Sequence, residues 1–206
     1  MYTDFAFQNK PYKWLSNEYI EIAALAQHYG VLTRLLDWTS DLFIAMYFAY
    51  QGVLKNWYNN KDKFDCNDSM VIWALNAGRL HRPGGLGKSI PLKLVIPPYN
   101  DNQNLNAQKG ILSYWEIRLP DRKQEDLNMQ QFPIDRSPLN KLIREYDTSD
   151  ATVMLYKMKI PVTECFFIHT TLKSLGYTAA KLFPGYSGVA RQMAISKVLF
   201  TPSNQC

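Results

Sequence analysis

Ala26-Gln27-His28-Tyr29-Gly30-Val31-Leu32-Thr33-Arg34-Leu35-Leu36-Asp37-Trp38-Thr39 is the stretch on which the reading of this chain turns. It sets eight chemically capable side chains between two apolar helical patterns. Polar groups that dense, flanked by core, must satisfy one another or meet a ligand, because an unpaired buried polar group is costly. Upstream, Ser16 can cap a helix with Glu18 in its first turn, where the helix dipole favours an acid. Ile20, Ala23, Ala24 and Gln27 share one face of that helix, and Gly30 is a natural stop. Downstream, a second helix follows Thr39-Ser40-Asp41. Its opening, Leu42 to Tyr50, is apolar nearly all round, which predicts a central position.

Beyond these helices the pattern turns to strands. Met70 to Leu75 is a continuous apolar run typical of a buried strand, Leu92 to Ile96 is a second, and Ile111 to Ile117 a third. Val153 to Ile160 reads as a fourth, with alternating Lys157 and Lys159. Asn59 to Asp68, Asn100 to Gly110 and Asp121 to Asp135 are polar and read as loops. Pro138 opens a short helix to Tyr146, Pro161 starts another that ends at Gly176, and Thr178 and Ser187 can cap two closing helices. Helices first, then strands and helices mixed, predict an α+β class: one domain, with the leading helices packed on a small mixed or antiparallel sheet.

Composition sets bounds on function. The chain has 206 residues, 47% hydrophobic and 14% aromatic, enough for a sizeable core. Net charge is +5, which favours contact with a polyanion or an anionic cofactor. The basic residues are scattered, so a solvated surface is preferred to nucleic-acid binding, which stays open. The cysteines Cys66, Cys165 and Cys206 have no metal-ligand spacing, and their odd count makes a poor disulfide framework. No metal site is expected, and a reducing cytoplasmic setting is the simplest reading. There is no signal-like N-terminus and no run long enough to span a membrane.

Gly84-Gly85-Leu86-Gly87-Lys88-Ser89 invites a phosphate-loop reading, but Arg82 occupies the place of the leading glycine and Pro91 follows too soon for a helix. A mobile glycine loop is the preferred reading. His81 adjoins that loop, and His169 sits mid-helix beside Phe166 and Phe167 as a core or boundary residue. His28 differs, since Tyr29, Arg34 and Asp37 follow within nine positions. Two readings of this cluster stay open. In one, Arg34 and Asp37 form a structural salt bridge and Trp38 fills core. In the other, Arg34 or His28 holds an anion, Tyr29 or Trp38 stacks a ring, and Thr39 caps the next helix near bound phosphate.

Gln27-His28-Tyr29-Gly30, Thr33-Arg34-Leu35-Leu36-Asp37-Trp38-Thr39 and the apolar helix from Leu42 to Ala49 resemble the FRG domain family. The strand near Val71 to Leu75, the Ala107-Gln108-Lys109-Gly110 turn and Leu182 to Gly188 extend the likeness over most of the chain, 1–206, around a core motif at 21–50. Two features depart from the family. Its Phe/Tyr-Arg-Gly strand is not found, as if the chain began downstream of it, which leaves room for a protein partner that supplies this strand. Val31-Leu32 also replaces the usual turn entry. The resemblance implies, by a fold-level analogy, an ADP-ribosyltransferase-like layout with NAD as cofactor, in a toxin or phage-defence setting. On it, His28, Arg34, Asp37 and Gln108 would be catalytic, and Tyr29, Thr33, Trp38 and Thr39 would line the dinucleotide cleft. Gly110 stands where such a transferase would place a glutamate, and Glu116 on the same strand is the substitute. The competing readings are a non-catalytic binding module, with this cluster as scaffold, and a nucleic-acid binder.

Overall fold

A computed structural model describes residues 17–59, 65–80, 90–96, 102–116, 137–146 and 154–199. The Ser16 cap, the glycine loop at 84–89 with His81 and Arg82, and the polar excursion at 121–135 lie outside the described residues. In chain order the elements are α1 (Asn17–His28), β1 (Leu36–Thr39), α2 (Leu42–Asn59), β2 (Ser69–Leu75), β3 (Leu92–Val95), α3 (Gln103–Ala107) and β4 (Gly110–Trp115). There follow α4 (Leu139–Tyr146), β5 (Leu155–Pro161), α5 (Cys165–Ser174), α6 (Ala179–Leu182) and α7 (Tyr186–Leu199). Short 3-10 turns occupy Ala77–Arg79 and Val162–Glu164. The architecture is a mixed α/β domain, as the alternation of patterns predicts, with seven α-helices among the described residues. One sheet has the order β1-β4-β3, the other pairs β2 with β5. No described helix is long and apolar enough to cross a membrane.

Within the domain the chain forms two compact units. The first comprises Met1–Leu36, Ala77–Val95 and Ser113–Ala151, and the second Asp37–Asn76, Ile96–Leu112 and Thr152–Cys206. In the first, α1 ends as its glycine predicts. The Gly30 N–H bonds to the Gln27 carbonyl and the Val31 N–H to the Ala26 carbonyl, with Gly30 at φ +87°. This is a left-handed cap that satisfies carbonyls the helix would otherwise leave open. Ile20, Leu35, Ile90, Leu92, Tyr114 and Ile143 are buried.

The second unit holds a core of Ile44, Tyr47, Tyr50, Met70, Cys165, Ile168, Leu172, Ala179, Leu182 and Ile195. α2 packs against β2, α5 and α7, so one face of it is central as expected. The rest is not: Leu42, Phe43 and Phe48 are exposed. β2 and β5 are antiparallel, with Val71 opposite Lys159 and Trp73 opposite Lys157. β2 is not buried throughout, as its unbroken apolar run suggests. It alternates, because a two-stranded sheet with α2 on one side leaves its other face to solvent. α5 closes like α1: the Tyr177 N–H bonds to the Leu172 carbonyl and Gly176 takes φ +82°. Thr178 caps α6 as predicted, accepting from the Lys181 N–H. Helix α7 starts one residue before the expected cap, Ser187.

Three further differences have local causes. The segment after α1 contains the strand β1, whose four residues are too few to show a period of two. The asparagine-rich stretch read as loop contains α3, started by Asn102, whose side chain accepts from the Leu105 N–H. Cys66 is disulfide-bonded: an odd cysteine count makes a poor framework but does not forbid a single bridge.

Candidate functional site

The expected site residues divide between the two units. Gln27, His28, Tyr29, Thr33 and Arg34 belong to the first; Asp37, Trp38, Thr39 and Gln108 belong to the second. In the first, the Thr33 hydroxyl donates to the Gln27 side-chain oxygen and accepts from the Leu35 N–H, which shapes the turn out of α1. Tyr29 is 77% and Leu32 98% exposed, so this connector lies largely at the surface. His28 is the last residue of α1, and Arg34 is half-buried.

In the second unit the structure builds a joint from residues distant in sequence. Asp37, the second residue of β1, is at the surface, and Trp38 and Thr39 follow half-buried. The Thr39 hydroxyl donates to the Gln108 carbonyl at 2.8 Å and accepts from the Asp41 N–H at 3.1 Å. The Ser40 N–H bonds to the Lys109 carbonyl. The Gln108 side-chain amide donates to the Leu182 carbonyl at 3.1 Å. Of the expected site residues, Thr39 and Gln108 are therefore brought together directly.

The centre of the joint is Asp41. One carboxylate oxygen accepts from the Phe43 N–H at 2.9 Å, which makes Asp41 the cap of α2. Thr39 was expected in that role. It instead sits two residues earlier in β1 and fastens the strand. The other Asp41 oxygen receives Lys109 Nζ at 2.7 Å and the Tyr177 hydroxyl at 3.1 Å. Only 10% of the Asp41 side chain is exposed. Burial pushes its acid upward, but hydrogen bonds from Lys109, the Phe43 N–H and Tyr177 outweigh that and hold it below its ordinary value. The Lys109 ammonium is raised, first by its hydrogen bond to Asp41 and then by that charge. The Tyr177 hydroxyl is raised by burial and by its bond to Asp41. Lys109 takes φ +47°, an uncommon backbone for a side-chain-bearing residue, at the turn from α3 into β4. Phe43 and Tyr177 meet at 5.3 Å between ring centroids, lining the joint with apolar surface.

Lys109, quoted above only as part of the Ala107–Gly110 turn, and Tyr177 carry this joint, but nothing in the sequence assigns either of them to it. Asp41 had one: an aspartate directly before an apolar helix is a cap. A second polar group in this unit has no nucleophilic character. Cys165 is buried, its Sγ lies 3.8 Å from the Tyr50 carbonyl, and burial pushes its thiol up to about 11. A thiol so held stays protonated at neutral pH and inert. His169 Nδ1 lies 3.4 Å from the Tyr50 hydroxyl, as its core or boundary reading predicts. Burial, then Lys173, lowers its basicity. Among the described residues no cluster of His, Cys, Asp and Glu could hold a metal ion.

Comparison with known proteins finds the FRG domain at residues 3–57. That span runs through α1, the connector, β1 and most of α2, and agrees with the resemblance carried by Gln27 to Ala49. Gln108 and the segment from Leu182 to Gly188 lie beyond it. No curated protein and no solved structure matches.

Proposed function

We propose that this chain is a non-catalytic binding module with an FRG domain at its front, in which the polar joint around Asp41 is scaffold. The carrying observation is Gln108. A transferase reading needs its side chain turned to a ligand, yet the side-chain amide nitrogen donates to the Leu182 carbonyl, and the backbone carbonyl accepts from the Thr39 hydroxyl. Asp41, Lys109 and Tyr177 likewise satisfy one another. Groups that pair internally fix a geometry; they do not wait for a substrate.

The competing reading is an NAD-dependent, ADP-ribosyltransferase-like toxin or phage-defence effector that uses His28, Arg34, Asp37 and Gln108, with Tyr29, Thr33, Trp38 and Thr39 around the dinucleotide. NAD at about 1 mM, the top of the usual KM range, separates the two. The binding module shows no thermal shift and releases no nicotinamide. A ligand that binds only the folded state must raise Tm. A shift or nicotinamide release that is lost in a folded Gln108→Ala or Asp37→Ala variant overturns the scaffold reading.

A further inference from the structure

We infer that the solvent face of the β2–β5 sheet binds single-stranded nucleic acid, with Trp73 as a stacking platform and Lys157 and Lys159 as phosphate contacts. This rests on the binding-module reading only in that it names the ligand; it shares no residue with the joint around Asp41. Side chains alternate across a strand, so the register puts Val71 and Trp73 of β2 on the same face as Lys159 and Lys157 of β5. Met70 and Ile72, on the opposite face, are buried. On the outer face Trp73 is 38% exposed, and both lysines are exposed. Lys157 Nζ lies over the Trp73 ring, 5.4 Å from its centroid, so the ammonium rests on the indole face and a stacking base would displace it toward the flanking phosphates.

That combination selects the ligand by chemistry. None of the positions of β2 or β5 holds a carboxylate, so the charge on the face is purely cationic, within a chain of net charge +5. An acidic peptide would complement the lysines but has no need of an exposed indole between them. A single strand presents both partners at once: an aromatic base to stack on Trp73, and flanking phosphates for Lys157 and Lys159. The two lysines are two residues apart on one strand, a repeat of about 7 Å that suits successive phosphates of an extended chain. The open face of a strand pair admits such a chain, whereas a duplex keeps its bases stacked away from an indole.

The test is fluorescence anisotropy of a labelled oligo-dT of about 12 nucleotides, within the site sizes of sheet-based binders, titrated with the intact chain. Binding is expected to weaken with salt. Lys157→Gln with Lys159→Gln should reduce the slope of log K against log salt by about 1.4, as loss of two single-strand phosphate contacts requires. Trp73→Ala should weaken binding about 5- to 150-fold, the range for one stacked base, and Trp73→Phe should retain most of it. Should Trp73→Ala fail to fold, Trp73→Phe and the surface lysine pair still decide. No binding at about 100 µM chain, the weak end of non-specific affinity, overturns the inference. So does unchanged affinity in folded Trp73→Ala, or equal affinity for a poly-glutamate of matched charge. Nicotinamide release bears on the binding-module reading alone, so the two failures are distinguishable.

Discussion

The connector after α1 and the joint around Asp41 carry similar polar chemistry, but they spend their hydrogen bonds differently. The bonds that shape the turn of the connector are local: Thr33 reaches Gln27 six residues back and the Leu35 N–H two residues on, and Gly30 closes the helix on its own last turn. In the joint they span the sequence. Thr39 meets a carbonyl 69 residues away, Gln108 one 74 away, and Asp41 a hydroxyl 136 away. Local bonds form early and shape a turn whatever the rest of the chain does. Long-range bonds exist only once strands and helices are placed, so their loss is felt by the whole unit. Tyr29 to Leu32 of the conspicuous cluster are a surface turn, and the long-range bonds gather one short strand further on.

This contrast can be broken by measurement. The largest effect is expected at Gly188, where α7 starts beside α6. A Cβ there would meet the Phe183 carbonyl oxygen at 2.0 Å and that of Ala179 at 2.9 Å, both backbone atoms that cannot step aside. Gly188→Ala should cost about 3 kcal/mol in urea unfolding, as overpacking does. Asp41→Ala comes next, at about 2 kcal/mol for loss of a helix cap. Because the Asp41 acid is held below its ordinary value of 3.8, the stabilisation it gives is complete above that value. It is lost as pH falls through the lowered value in the folded state. A pH series should therefore show less acid destabilisation in Asp41→Ala than in the parent chain; an identical acid limb would remove Asp41 from the centre of the joint. Thr39→Val, which strips the hydroxyl that links Gln108 and the Asp41 N–H, should cost about 1.5 kcal/mol. Gly30→Ala in the connector should cost only about 1 kcal/mol, from its left-handed backbone, since nothing lies within 4 Å of the added methyl. If Gly30→Ala proved more damaging than Thr39→Val and Asp41→Ala, the connector and not the joint would organise this part of the molecule.

Much of the fold could be read before the structure. α1 with its Gly30 stop, the helix from Leu42, the strands near Met70, Leu92 and Ile111, and the closures at Gly176 and Thr178 all follow from apolar period and capping chemistry. β1 and α3 escaped because four and five residues are too short for a period to show, and each depends on what lies beside it. Of the site, Thr39 and Gln108 were legible as polar residues in conspicuous turns, and the structure joins them. Tyr177 was not: nothing near it in sequence distinguishes its hydroxyl from any other until the end of α5 brings it to Asp41.

What the sequence determined by itself is what a few neighbouring residues can decide: where helices stop, which segments are apolar enough to be core, and a motif shared with FRG domains at 3–57. What only tertiary structure decided is which polar groups face each other. A side chain's partner across 68 or 136 residues is fixed by the packing of whole elements. The same packing turned one face of the β2–β5 sheet to α2 and left Trp73, Lys157 and Lys159 on the other. Backbone propensity and periodicity act over one or two turns of chain, whereas burial and pairing act through space, and a linear sequence records the first far more directly than the second.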